Sequence, residues 1–174
     1  MRTNILASVV LVIFVASAIG LFLWVGNHAE TYFRGQGFES RFPEKTLSYS
    51  ENDLRMLVKS DIRSSYISPI LFPLDLAVML ALSISLGAAS FFWARQLYPT
   101  LAQFALLLPA IYLLSDMIED GLLIWLLRRG DPDTAASALL VLKAITAIKL
   151  ATITGAFIQT ALAFVVWLWR TFAR

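Results

Sequence analysis

Four apolar runs, Ile5–Val25, Ile70–Ala94, Leu101–Leu127 and Ala135–Trp169, take up most of this chain. Each reaches the ~20 residues that an α-helix needs to cross a hydrocarbon core of ~30 Å. Composition agrees: 59% of the residues are hydrophobic and 15% charged, where roughly 45–50% and 25% are ordinary for soluble domains. The pattern predicts an all-α membrane protein, a single domain over residues 1–174. Its four transmembrane helices are expected at about 5–26, 70–94, 100–128 and 135–169, leaving one sizeable outer loop at 27–68. A charge inside such a run costs a few kcal/mol on insertion scales, so each one needs a reason to be there.

Other features narrow the classes. The net charge of +2, with no basic run, argues against nucleic acid as a partner. The absence of cysteine removes disulfides, thiolate metal sites and thiol catalysis. Met1-Arg2-Thr3-Asn4 followed by apolar residues and Ala16-Ser17-Ala18 resembles a secretory signal. The apolar stretch runs on through Val25, too long for the usual signal core, so it reads as an uncleaved signal-anchor helix.

Four spans put both termini on one side. If that side is cytoplasmic, the inner segments carry Arg2, Arg95, Arg170 and Arg174 with no acid near them. The outer segments carry Arg34, Arg41, Lys45, Arg55, Lys59, Arg63, Arg128 and Arg129, a larger raw number. Orientation is read from short flanks close to the spans, where the inner basic residues are denser. The expected arrangement is thus multi-pass, with cytoplasmic termini.

Local signals place the boundaries. In the outer loop, Tyr32, Phe33, Phe38, Phe42 and Tyr49 are scattered among polar residues and Gly35 and Gly37. Further on, Ser50 precedes Glu51-Asn52-Asp53 like an N-cap ahead of first-turn acids. Leu54, Leu57, Val58 and Ile62 then recur at helical spacing, with Arg55, Lys59 and Arg63 on another face. An amphipathic helix of about three turns is expected there, ending near Ser64-Ser65 and resting on the bundle mouth or on headgroups. The sharper reading makes it a gating lid. Pro69 and Pro73 should bend the start of the second span, and Pro109 should kink the third. Arg95–Tyr98 before Pro99 reads as a tight turn. Gly130-Asp131-Pro132-Asp133 reads as a helix stop, an Asp N-cap and a first-turn proline, joining spans three and four as an antiparallel hairpin.

The charges inside the runs share one depth. Counted from Arg95, Pro99 and Trp167, the residues Asp75, Glu119, Asp120, Lys143 and Lys149 all lie about 27–36 Å from the inner face, with Asp116 about one turn deeper. Asp116, Glu119 and Asp120 are spaced i, i+3, i+4 and so share a helical face. Register through the turn sets Asp116 level with about 148 and Asp120 with about 144, so Lys149 is expected to pair with Asp116, and Lys143 with Asp120 or Glu119. Four acids against two lysines leave a formal excess of 2 negative charges, so the layer is expected to retain a proton at neutral pH. The plain reading is a set of buried and snorkelling ion pairs that fixes helix register. The functional reading is a site for a cation, a proton or a ligand headgroup beneath the loop; the metal, if any, stays open.

At these residues a resemblance enters. Tyr49-Ser50-Glu51, Arg63-Ser64-Ser65-Tyr66, Phe72-Pro73 and Asp116-Met117-Ile118-Glu119 resemble a widespread set of uncharacterised bacterial four-helix integral membrane proteins. Their pattern implies an extracytoplasmic loop, an aromatic-proline start to span two and an Asp-x-x-Glu-Asn motif in span three. Here Asp120 stands where that pattern has Asn, adding a charge. The resemblance spans roughly 48–143 and implies no particular activity.

Known catalytic patterns are absent: there is no His-Glu-x-x-His, no Gly-x-Ser-x-Gly and no glycine-rich phosphate loop. His28 reads as a boundary residue, and Trp24, Trp93, Trp125, Trp167 and Trp169 as interfacial anchors. The leading functional expectation is a non-enzymatic accessory, assembly or binding subunit without a cofactor. Its expected partners are membrane lipids, other membrane subunits or further copies of itself. The alternatives are a small cation- or proton-handling transport protein using the acidic layer, and a lipid-active membrane enzyme with the acids as acid/base groups or metal ligands.

Overall fold

A computed structural model describes residues 2–35 and 47–173. The loop residues Phe38 and Phe42 lie outside this range. The described residues are helical apart from turns: α1 (Arg2–Gly35), α2 (Glu51–Lys59), the single turn α3 (Arg63–Ser65), α4 (Leu76–Leu97), α5 (Leu107–Arg129) and α6 (Pro132–Phe172). Three helical stretches are long and apolar enough to cross a membrane, Ile5–Thr31, Arg63–Leu97 and Pro132–Phe172. The third apolar run, α5, carries Asp116, Glu119 and Asp120 in its middle and so falls outside that class.

The α5–α6 hairpin is the most extensive contact, and α4 packs against both of its helices. Its turn follows from four residues. Gly130 ends α5 at φ +68°, a left-handed conformation that glycine adopts without steric cost. Asp131 caps α6 by accepting the Asp133 amide, and Pro132 fills the first turn. The Thr134 hydroxyl and the Asp133 amide hold the Asp131 carboxyl below the usual carboxylate range. A depressed carboxylate stabilises the fold above its unfolded pKa, and that contribution disappears as the pH falls through the folded value. The hairpin turn therefore weakens only in acid.

Two segments differ from the sequence expectation. The loop helix stops at Lys59, four residues short of Arg63, because Ser60 turns extended (φ −72°, ψ 150°) and its hydroxyl donates to the Leu57 carbonyl. Its start follows the expected logic, with a reciprocal capping box between Ser50 and Asp53. Leu54, Leu57 and Val58 are at most 1% exposed. Each such burial contributes ~1.5–3 kcal/mol, so packing, and not the exposed Arg55–Asp133 pair, holds α2 onto the start of α6. Between α3 and α4 the helical path over Tyr66–Asp75 is broken at Ser68 and Phe72. Both precede a proline, which disfavours the α conformation in the residue before it.

Pro109 does not kink a continuous span. A 3₁₀ stretch, Ala102–Leu106, leads into α5, and Pro109 occupies the first turn of the α-helix proper. There its missing N–H is tolerated. The Ala105 carbonyl, which residue 109 would otherwise serve in an α-helix, accepts instead from Gln159 Nε2 of α6 at 2.7 Å. Similar polar rivets join other pairs: Ser90 with Thr160 at 2.6 Å, Trp93 Nε1 to Ser8 at 3.1 Å and Trp167 Nε1 to Gln96 at 3.0 Å. Ala18 and Val25 of α1 pack with Val78, Met79 and Leu82 of α4.

The Gln159 bond is testable through its cause. Gln159→Leu should destabilise the protein in detergent by about 0.6–1.7 kcal/mol. In a Pro109→Ala background the carbonyl regains a backbone donor, so the same substitution should cost less. Equal costs in both backgrounds would show that the side chain does not replace the missing amide.

Candidate functional site: a buried carboxylate layer

The hairpin brings one face of α5 against one face of α6. Asp116, Glu119 and Asp120 on α5 are buried, as is Lys149 on α6. Lys149 Nζ donates to Asp116 Oδ1 at 2.9 Å and also ion-pairs with Glu119. Thr146, nearly one turn from Lys149, donates its hydroxyl to the other Glu119 oxygen. Tyr112, one turn before Asp116 on the same α5 face, is buried as well.

The break in the chain before α4 delivers the fourth acid. Asp75 immediately precedes α4, three residues past the break at Phe72, where a carboxylate is favoured by the positive end of the helix dipole. It is half-buried, and single oxygens of Asp75, Asp116 and Asp120 all lie within 4.8 Å of one another. A hard cation bonded to oxygens at ~2.3–2.6 Å can bridge ligands at that separation. Asp116 and Glu119 thus share one ammonium, with Asp75 and Asp120 close to Asp116.

Lys143 occupies a different place. Its Nζ lies over the Tyr49 ring, 5.4 Å from the centroid, at the edge where the loop covers the hairpin. Glu119 takes Lys149 and Thr146 as partners, in place of the expected Lys143. The reason is rotational. Six residues turn an α-helix through about 240°, so Lys143 and Lys149 cannot both face α5. The structure therefore gathers Asp75, Asp116, Glu119, Asp120 and Lys149, and sets Lys143 beside them. Thr146 and Tyr112 are the members that charge counting passed over. Each is three or four residues from a charged member on its own helix, and that spacing was the available signal.

The layer is sealed on the α2 side. Tyr49 and Tyr66, each at most 1% exposed, pack with Leu54, Leu57, Leu123, Leu126 and Leu142 in one apolar cluster. In such surroundings charges interact strongly, and unpaired ones are costly. Elsewhere, His28 stacks on Trp24 with ring centroids 5.5 Å apart. No family model, curated protein or solved structure matches the chain.

The arrangement ranks neighbouring residues. Lys149→Met leaves two buried carboxylates without their ammonium and should cost about 3–5 kcal/mol. Adding Asp116→Asn should recover part of that cost in a double-mutant cycle. Asp120→Asn keeps both Lys149 ion pairs and should lower the thermal midpoint less than Lys149→Met does. An equal fall would show that the Lys149 pairs do not dominate the layer.

Proposed function

We propose that the chain is an integral membrane protein of four spans that acts as a binding or accessory subunit without catalysing a reaction. The carboxylate layer is the part that binds, and what it takes up is a proton or a small hard cation. The observation carrying this reading is the convergence of Asp75, Asp116 and Asp120 within 4.8 Å, where Lys149 is already shared by Asp116 and Glu119. Carboxylate oxygens at that separation suit a hard cation, which binds several oxygens at ~2.3–2.6 Å, and a proton held between neighbouring carboxylates relieves their repulsion.

In this reading α5 is the remaining span, its three acids shielded from lipid by α4 and α6. Both termini lie on the cytoplasmic side of a bacterial inner membrane, and the 27–68 segment lies outside. Support comes from the density of basic residues in the short flanks.

Two measurements test this. Binding to the folded state raises its stability by linkage. The thermal midpoint in detergent should therefore rise on adding millimolar divalent cation at pH 8, or on lowering the pH from 8 to 6 without it. The rise should shrink in Asp75→Asn; indifference to both proton and cation would overturn the binding role. For topology, the chain has no native cysteine, so Ser40→Cys introduces a unique label. It should react with an impermeant maleimide in intact cells, and labelling only after permeabilisation would reverse the orientation.

A further inference from the structure

The members of the carboxylate layer differ in how they meet the surroundings. Asp116, Glu119, Asp120 and Lys149 are at most 6% exposed, whereas Asp75 is half-buried. On the α2 side the layer is closed. Tyr49, Leu54, Leu57, Val58 and Tyr66 are fully buried there, in one cluster with Leu123 and Leu142. Leu123 is one turn from Glu119, and Leu142 one turn from Thr146. The apolar plug under α2 therefore abuts the layer itself.

The side of the chain break is open by contrast. Phe72, three residues before Asp75, is 57% exposed, and Pro73 and Ala77 are exposed as well. The helical path fails at Phe72 because a proline follows it. Helical side chains lean toward the N-terminal end of their helix, so the Asp75 carboxylate leans toward that break. Asp75 also lies ~30 Å from Arg95 along α4, about the span of a hydrocarbon core. In a bilayer, such an opening faces the headgroup zone, where water and ions are present.

We infer that the layer takes up its cation sideways, from the membrane surface past Asp75 at the break before α4, and not through the bundle mouth beneath α2. The inference rests on the binding role proposed above. Asp75 is then the receiving carboxylate, since an acid at an entrance concentrates cations there and speeds their arrival. The α2 helix is a fixed plug and takes no part in admission.

Stopped-flow mixing of the full chain in detergent with terbium tests the route. Terbium is a hard cation whose emission is sensitised by nearby tyrosine, here Tyr112, and the part of the emission lost in Asp116→Asn belongs to the layer. Asp75→Asn should lower the association rate about tenfold. A residue that only ligated the ion would instead raise the dissociation rate and spare arrival. The chain has no native cysteine, so adducts can be placed singly. Phe72→Cys carrying a cationic thiol adduct should take up terbium about tenfold more slowly than with an anionic adduct of similar size. Met56→Cys, at an exposed position of α2, should show no such difference. Bridging Arg55→Cys to Asp133→Cys with a short bifunctional thiol reagent should leave uptake unchanged. Slower uptake in the bridged protein, a charge effect at Met56 and not at Phe72, or unaltered arrival in Asp75→Asn would overturn the lateral route. Lack of sensitised emission, or emission that survives Asp116→Asn intact, would refute the binding role itself and the route with it.

Discussion

The Lys149 ammonium, shared by Asp116 and Glu119, is the interaction on which the rest of the bundle depends. A lone ammonium or carboxylate away from water is unfavourable by several kcal/mol, and pairing recovers a large part of that only when the geometry is kept. Slipping α6 by one residue along α5 would rotate Lys149 by about 100° away from both acids. The pair thus penalises wrong registers that apolar packing alone would tolerate. The Gly130 turn brings the two helices into antiparallel contact, and the ion pairs select among the ways they can then lie.

The same interaction stands in a crowded place. Two carboxylates share the one ammonium, and Asp75 and Asp120 lie close to Asp116. Covering by Tyr49, Tyr66 and the leucines of α2 makes that crowding matter more, since water that would screen it is displaced. Packing of the loop and the chemistry of the layer are therefore linked. An exposed cluster of acids would need no explanation, whereas this one does.

Much of the layer was legible in the sequence. Residue rise along a helix sufficed to place Asp75, Glu119, Asp120, Lys143 and Lys149 at one depth with Asp116 about one turn deeper, and the Gly130-Asp131-Pro132-Asp133 turn set Lys149 level with Asp116. What depth counting lacks is azimuth, and so it did not show that Glu119, one of the two acids it offered to Lys143, would meet Lys149. Proline positions were visible, but their consequences depended on context. Pro109 was harmless because a 3₁₀ stretch placed it in a first turn, and Gln159 made good the missing bond. Ser68 and Phe72 broke the helix ahead of Pro69 and Pro73. The early stop of α2 turned on one serine hydroxyl, a local competition that hydrophobic periodicity does not register.

The length of α6 has a consequence of its own. Its 41 residues extend ~60 Å, twice a hydrocarbon core of ~30 Å. α2 packs along its beginning, so part of the surplus is clad in protein. Lys149 lies 23 residues before Phe172, ~35 Å along the axis. With the C-terminal end of α6 at one face of a bilayer, the carboxylate layer would fall near the far edge of the hydrocarbon, where bilayer thickness decides how much of its surroundings meets lipid.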